Sequence, residues 1–171
     1  SSVSWEFPVT RASLPMKAEI IAFFKAFTYA FSGIVQGIKS ERNVRFHLCA
    51  AVTVLWLMRF YELEISEKCI IFLCIGSVIA AELMNTAVEN AVDLHGIEKT
   101  PRGKAAKDCA AGAVLVMSVS AAVCGIVILL DRAVICEIAN YFAARPYAVI
   151  CAVLWAAASF IFIFGFDTKK K

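Results

Sequence analysis

Residues 69–94 read CIIFLCIGSVIAAELMNTAVENAVDL, a stretch that is apolar in its first half and carries spaced polar residues in its second. With about 100° of rotation per residue in an α-helix, the polar side chains fall on one narrow face: Glu82, Asn85, Glu89 and Asp93. A helix needs about 20 mostly apolar residues to cross a bilayer. The stretch therefore predicts a membrane-spanning helix with three carboxylates and an amide on one side.

The composition of the whole chain also indicates a membrane protein. Of 171 residues, 61% are apolar and 18% are charged, whereas a soluble domain has about 45–50% apolar and about 25% charged residues. The length leaves no room for a separate nucleotide-binding domain. Any catalysis must therefore come from the membrane-embedded helices themselves.

Three further membrane spans are predicted from apolar runs, at residues 46–60, 109–130 and 147–166. Residues 16–39 have apolar side chains at helical spacing among polar ones, which predicts an amphipathic helix on the membrane surface. The predicted fold is an all-α integral membrane helical bundle. It has an N-terminal amphipathic surface helix, three core transmembrane helices and an extra C-terminal transmembrane helix.

The basic residues predict the topology of these spans, because cytoplasmic segments are enriched in Lys and Arg. With both termini on one side, 13 of the 17 basic residues fall on that side. We expect a multi-pass protein of a bacterial inner membrane, with the N- and C-termini in the cytoplasm.

Three acids on one buried face would repel one another, and a bound divalent cation would relieve that repulsion. Carboxylate oxygens are ligands that Mg²⁺ accepts, usually together with phosphate oxygens. Glu41, in the polar corner before the first span, could complete a metal site with Glu89. The alternative is that the polar stripe forms interhelical hydrogen bonds that hold a bundle together.

A basic loop is predicted at residues 95–107, and its cations could hold a polyphosphate: Lys99, Arg102, Lys104 and Lys107. The positive-inside rule and attraction to anionic lipids explain the same residues without a ligand. The chain has neither a GxxxxGK[ST] loop nor a GxGxxG motif, which excludes these two kinds of nucleotide site. His47 and His95 have no partner at metal-ligand spacing, so structural or interfacial roles are expected for them.

The segment from Ala81 to Glu89 with Asp93, followed by Ala106-Lys107-Asp108, resembles the prokaryotic diacylglycerol kinase family of small integral membrane lipid kinases. Upstream, Tyr29-Ala30, Gly33 and the Glu41-Arg42-Asn43 segment with Arg45 and His47 resemble the Gram-positive branch, whose members phosphorylate undecaprenol. The resemblance runs from about residue 20 to residue 130. We predict a membrane lipid kinase domain at residues 16–130, preceded by a disordered tail at 1–15. An extra transmembrane segment and basic tail at 131–171 lie outside the resemblance, because the family normally ends after three spans.

The resemblance also implies the roles of individual residues. Glu82 would be the general base that takes the proton from the lipid hydroxyl, and Glu41 and Glu89 would bind Mg²⁺ that bridges the ATP phosphates. Further residues would contact ATP: Tyr29, Glu98, Lys99, Thr100, Lys107 and Asp108. A last group would support this site: Asn85, Asp93, Lys25 and Asn43.

The resemblance implies a homotrimer with composite sites near the cytoplasmic face, and no nucleic-acid partner is expected. Undecaprenol is the favoured lipid alcohol, with diacylglycerol as the alternative. A small oligomeric proton or cation transporter is the non-enzymatic alternative, because intramembrane carboxylates also mark ion paths.

Overall fold

The computed structural model describes residues 16–94, 96 and 100–165, with Lys17 described by its backbone alone. Every regular element in this part of the chain is helical, which confirms the predicted all-α class. The helices are α1 (Met16–Ser40), α2 (Arg42–Leu57), α3 (Ile65–Leu94), α4 (Pro101–Leu129), α5 (Arg132–Ala143) and α6 (Pro146–Phe164), with a 3-10 turn at Met58–Phe60. The predicted tail at 1–15 and the last residues of the predicted basic tail lie outside the described residues.

The chain divides into two compact units, Ser1–Ile34 and Val35–Lys171, and the boundary falls inside α1. The first unit contains the described turns of α1 up to Ile34. The last turns of α1 and all later helices belong to the second unit. The division into a domain at 16–130 and an extension at 131–171 stays a prediction.

Within the described residues, four helices are long and apolar enough to span a membrane: Ala18–Ser40, Ile65–Leu94, Pro101–Leu129 and Pro146–Phe164. The last three correspond to predicted spans. The first, Ala18–Ser40, lies in α1, which was expected on the membrane surface. That surface placement stays a prediction. The helix predicted to be the first span, α2, has 16 residues. The 3-10 turn lengthens it by three, and at about 1.5 Å per residue the two together approach the bilayer core of about 30 Å.

The N-terminus of α4 differs from the prediction, because the helix begins at Pro101 and not near residue 109. Thr100 is the N-cap, and its side-chain oxygen accepts a hydrogen bond from the Gly103 backbone N–H at 3.0 Å. Proline is favoured in the first helical turn, where its missing N–H has no intrahelical partner to lose. The predicted basic loop is therefore shorter than expected, and Arg102, Lys104 and Lys107 lie in the first two turns of α4.

The C-terminal extension contains a second helix, α5, which was not separated from α6 in the prediction. Asp131 caps it, with the carboxylate accepting from the Ala133 backbone N–H at 2.7 Å. The short amphipathic α5 packs against the 3-10 turn and against α6. There Arg59 lies over the rings of Trp56, Phe60 and Tyr141.

Helix α3 packs along α4, and α2 contacts both α3 and α6. The indole N–H of Trp155 on α6 donates to Thr53 of α2 at 3.1 Å. The backbone oxygen of Ile163, near the end of α6, accepts hydrogen bonds from Arg45 in the first turn of α2. Therefore α6 runs antiparallel to α2 and ends beside the α1–α2 corner, the end of the bundle where the candidate site residues lie.

Candidate active site

The centre of the candidate site is Glu82, a residue with only 2% of its surface exposed. It lies on the face of α3 that meets α2, and its Oε1 is 3.3 Å from Nε2 of His47. Burying a carboxylate away from water is costly unless the group is hydrogen-bonded or paired. His47 supplies that partner, so the α2–α3 contact fixes the position of the Glu82 carboxylate.

Glu41 and Glu89 complete an acidic cluster with Glu82, and their negative charges act on its carboxylate. Glu41 is the single residue between α1 and α2, with extended backbone angles of φ −115° and ψ 120°. The last turns of α1 approach α3 closely at Gly37, where an added Cβ would collide with a methyl group of Leu83. This close approach places the α1–α2 corner next to the segment of α3 that carries Glu82.

Asn85 lies between Glu82 and Glu89 on the polar face of α3. Its Nδ2 donates to Oε1 of Glu89 at 3.0 Å, while its Oδ1 is buried without a hydrogen-bond partner. An unpartnered buried carbonyl oxygen is uncommon in folded proteins. Beside two carboxylates, it offers a further hard oxygen ligand of the kind that a magnesium ion accepts.

A divalent cation fits this donor set only with help from a substrate. In the described part of the chain, no group of three or more His, Cys, Asp or Glu side chains is arranged to hold a metal ion. Mg²⁺ commonly uses one or two carboxylates, with substrate phosphates and water completing its octahedron. Glu41 and Glu89 can supply those carboxylates.

The far end of the polar stripe joins α3 to α4. Lys107 forms an ion pair with Asp93, while Asp108 is exposed next to Lys107. The structure thus brings Asp93 and Lys107 together, one turn beyond Glu89. Thr100 lies at the start of α4 and is exposed, and its side chain is engaged in the helix cap.

The other predicted site residues lie in α1, in α2 and in the segment before α4. Lys25 and Tyr29 are exposed on the part of α1 that belongs to the first unit. Asn43 is exposed in the first turn of α2. Glu98 and Lys99 lie outside the described residues.

Two residues near the cluster have a larger part in the structure than their sequence pattern indicates. His47 pairs with Glu82, although nothing in its spacing announced a partner. Arg45 is 4% exposed and hydrogen-bonds to three backbone oxygens. No sequence signal identified these partners, because they depend on how α2 packs against its neighbours.

An apolar cavity of about 380 Å³ opens between α2, α3 and α4. His47 and Phe46 line one end of it, and the walls beyond them are apolar or small side chains such as Val54, Ile75 and Gly125. Val78, one turn before Glu82 on α3, is also in the lining. The cavity therefore leads from the apolar middle of the bundle to the His47 side of the His47–Glu82 pair.

The model of the prokaryotic diacylglycerol kinase family matches residues 28–129, more than half of the chain. The chain belongs to the prokaryotic diacylglycerol kinase family. The match covers α1 from residue 28 onward together with α2, α3 and α4, and it includes the acidic cluster. Both α5 and α6 lie outside it.

Two relatives within this kinase family are informative. The chain is 46% identical over 114 residues to the undecaprenol kinase of Bacillus subtilis, which covers 67% of this chain and 93% of the relative. It is 37% identical over 106 residues to the diacylglycerol kinase of a Synechocystis species, covering 61% of each chain. No solved structure matches the chain.

Membership in this kinase family establishes the chain as a membrane lipid kinase and implies the use of ATP. The transporter alternative is therefore not supported.

Proposed function

We propose that the protein transfers the γ-phosphate of ATP to the hydroxyl of undecaprenol, giving undecaprenyl phosphate. The observation that carries the proposal is the position of the buried Glu82 carboxylate. It lies beside Glu41 and Glu89 on one side and beside the His47 end of an apolar cavity on the other. Charged phosphates and an oily alcohol can meet only where such environments adjoin.

Each residue of the cluster has a distinct part in this proposal. Glu82 accepts the proton of the lipid hydroxyl as the oxygen attacks the γ-phosphorus and ADP departs with the bridging oxygen, and His47 holds the carboxylate in place. Glu41 and Glu89 are the proposed ligands of Mg²⁺, which would neutralise charge on the phosphate oxygens. Phosphoryl transfer depends chiefly on such positioning and electrostatic stabilisation, so no further covalent chemistry is required of the protein.

The nucleotide is proposed to lie at the α3–α4 end of the stripe. Lys107 forms an ion pair with Asp93, which lies one turn beyond Glu89 on that face. Tyr29, Thr100, Asp108, Glu98 and Lys99 remain proposed ATP contacts, and Lys25 and Asn43 remain proposed supporting residues. In a homotrimer, which we also propose, some of these contacts would come from a neighbouring subunit.

The choice of undecaprenol is supported by the named activity of the Bacillus subtilis relative, of which the match covers 93%. Diacylglycerol is the second candidate, supported by the Synechocystis relative at lower identity. A bacterial inner membrane with both termini in the cytoplasm is proposed from the distribution of basic residues. The antiparallel packing of α2 and α6 supports the placement of both termini on one side, since an even number of crossings returns the chain to its starting side.

A paired-substrate assay tests this function. We expect purified protein in mixed micelles, supplied with Mg²⁺ and γ-labelled ATP, to phosphorylate undecaprenol faster than diacylglycerol at equal mole fraction. Equal or reversed rates would overturn the choice of substrate. Absence of transfer to either lipid would overturn the proposed reaction.

A further inference from the structure

Arg45 connects the carboxyl ends of two helices. Its Nη1 donates to the backbone oxygens of Ile38 at 3.0 Å and Lys39 at 3.1 Å, in the last turn of α1. Its Nε and Nη2 donate to the backbone oxygen of Ile163 at 3.3 and 3.1 Å, in the last turn of α6. One buried side chain therefore connects the end of α1 to Ile163, which follows Arg45 by 118 residues in sequence.

The chemistry of helix ends explains why an arginine fits this position. The last four carbonyl groups of an α-helix have no intrahelical donor, and the carboxyl end carries a partial negative charge. The planar guanidinium presents several donors in a fixed fork and remains charged, whereas lysine has a compact ammonium group. Arg45 thus satisfies three terminal carbonyls with one positive charge.

These hydrogen bonds enclose Glu41. The backbone N–H of Glu41 donates to the backbone oxygen of Gly37 at 2.9 Å. The backbone oxygen of Glu41 accepts from the backbone N–H of Arg45 at 3.4 Å. The Arg45 side chain then reaches back to Ile38 and Lys39, on the other side of Glu41. The corner that carries this carboxylate is closed by Arg45, and Arg45 is itself anchored on α6.

A second contact joins α6 to the same corner. The guanidinium of Arg42, the residue after Glu41, lies 5.5 Å from the ring centroid of Phe164 at the end of α6. Both anchoring points on α6, Ile163 and Phe164, lie outside the family match at 28–129. The extension therefore contributes to the geometry of a site whose acidic residues all come from the family core.

We propose that Arg45 is a positioning residue and that α6 is its anchor, so that the C-terminal extension fixes the α1–α2 corner and with it the Glu41 carboxylate. This inference rests on the proposed role of Glu41 as a metal ligand. It assigns the extension a function in Mg²⁺ binding, although no residue of the extension touches the metal.

The first variant is Arg45→Lys in the full-length protein, which keeps the charge and removes the fork. We expect the half-saturating Mg²⁺ concentration to rise about tenfold, as when the partners of a metal ligand are removed, with the KM for the lipid unchanged. The matched control is Arg59→Lys, the same substitution at the other end of the α2 region, where Arg59 contacts α5. It should leave the Mg²⁺ dependence unchanged.

The second variant, Phe164→Ala, loosens α6 without altering any group in the site. We expect a smaller rise in the half-saturating Mg²⁺ concentration, roughly two- to fivefold, from loss of the exposed cation–π contact. Hydrogen exchange at the Glu41 and Arg45 amides should become faster in both variants. If Arg45→Lys does not fold, Phe164→Ala carries the test by itself.

Glu41→Gln separates this inference from the proposed function. If Glu41→Gln changes the Mg²⁺ dependence but neither Arg45→Lys nor Phe164→Ala does, the positioning role is overturned, whether or not exchange becomes faster. If Glu41→Gln has no effect on the Mg²⁺ dependence, the metal-ligand role of Glu41 fails, and with it the proposed link to metal binding. Unchanged amide exchange in both variants would show that Arg45 and α6 do not hold the corner.

Discussion

Glu82 and His47 form a polar side-chain pair at the contact between α2 and α3. The carboxylate is almost fully buried at the α2–α3 contact, and Nε2 of His47 lies 3.3 Å from its Oε1. His47 also lines the end of the apolar cavity. A lipid hydroxyl that enters from the cavity would therefore reach the pair from the side of His47.

Replacing His47 tests the structural half of this relation. His47→Leu should lower the free energy of unfolding by about 1–3 kcal/mol, because it leaves a buried acceptor without a partner. His47→Gln keeps a hydrogen-bond donor and should lose less. Thermal unfolding of both variants in detergent measures the difference, and equal stability of His47→Leu and the parent protein would contradict the pairing.

Replacing Glu89 tests the metal site. Glu89→Gln removes one of the two proposed Mg²⁺ carboxylates while keeping an oxygen that can accept from Asn85. We expect the half-saturating Mg²⁺ concentration to rise by at least about tenfold, as measured by phosphoryl transfer across a Mg²⁺ titration. An unchanged titration curve would remove Glu89 from the metal site.

The placement of the α3 acids on one helix face was predictable from the sequence, whereas their hydrogen-bond partners were not. Helical periodicity alone places Glu82, Asn85 and Glu89 on one face, because the angle between them depends only on their spacing. The partner of Glu82 depends on how α2 is rotated against α3, and no local pattern encodes that rotation. The same reason explains why the three backbone partners of Arg45 could not be predicted.

At the level of elements, the start of α4 differs from the position predicted from hydropathy, because a capping residue determines where the helix begins. The apolar run of α4 begins near residue 109, yet the helix begins at Pro101 because Thr100 caps it. Arg102, Lys104 and Lys107, which were predicted in a basic loop, therefore lie in the first two turns of α4. The amino end of α4, with its partial positive charge, therefore adds to the positive potential of these cations.

Thr100 has two assigned roles, and two substitutions separate them. Loss of the cap in Thr100→Ala should lower the free energy of unfolding by about 1 kcal/mol, whereas Thr100→Ser keeps the capping oxygen. If Thr100 also contacts ATP through its hydroxyl, Thr100→Ala raises the KM for ATP and Thr100→Ser restores it. A normal KM for ATP in Thr100→Ala would limit the residue to its capping role.

At the scale of the molecule, polar site residues and an apolar cavity follow one another along the bundle. The acidic cluster, the α3–α4 ion pair and the carboxyl end of α6 lie at one end, and the apolar cavity runs from there toward the middle. In the described part of the chain, the all-helical class and three of the four helices long enough to span a membrane were predictable from hydropathy. The packing of α6 against α2 was not, because it depends on Thr53, Trp155 and Arg45 meeting across more than 100 residues of sequence.

The central claim is that the Glu82 carboxylate is the base for phosphoryl transfer to a lipid alcohol. The most direct test is the rate of label transfer from γ-labelled ATP to undecaprenol by Glu82→Gln, compared with Glu137→Gln, an exposed control on α5. A general base contributes about 10²- to 10⁴-fold, so we expect Glu82→Gln to lose at least about 100-fold in rate while keeping its helical content and oligomeric mass. Glu137→Gln should retain the parent rate, and a parent-like rate in folded Glu82→Gln would contradict the account.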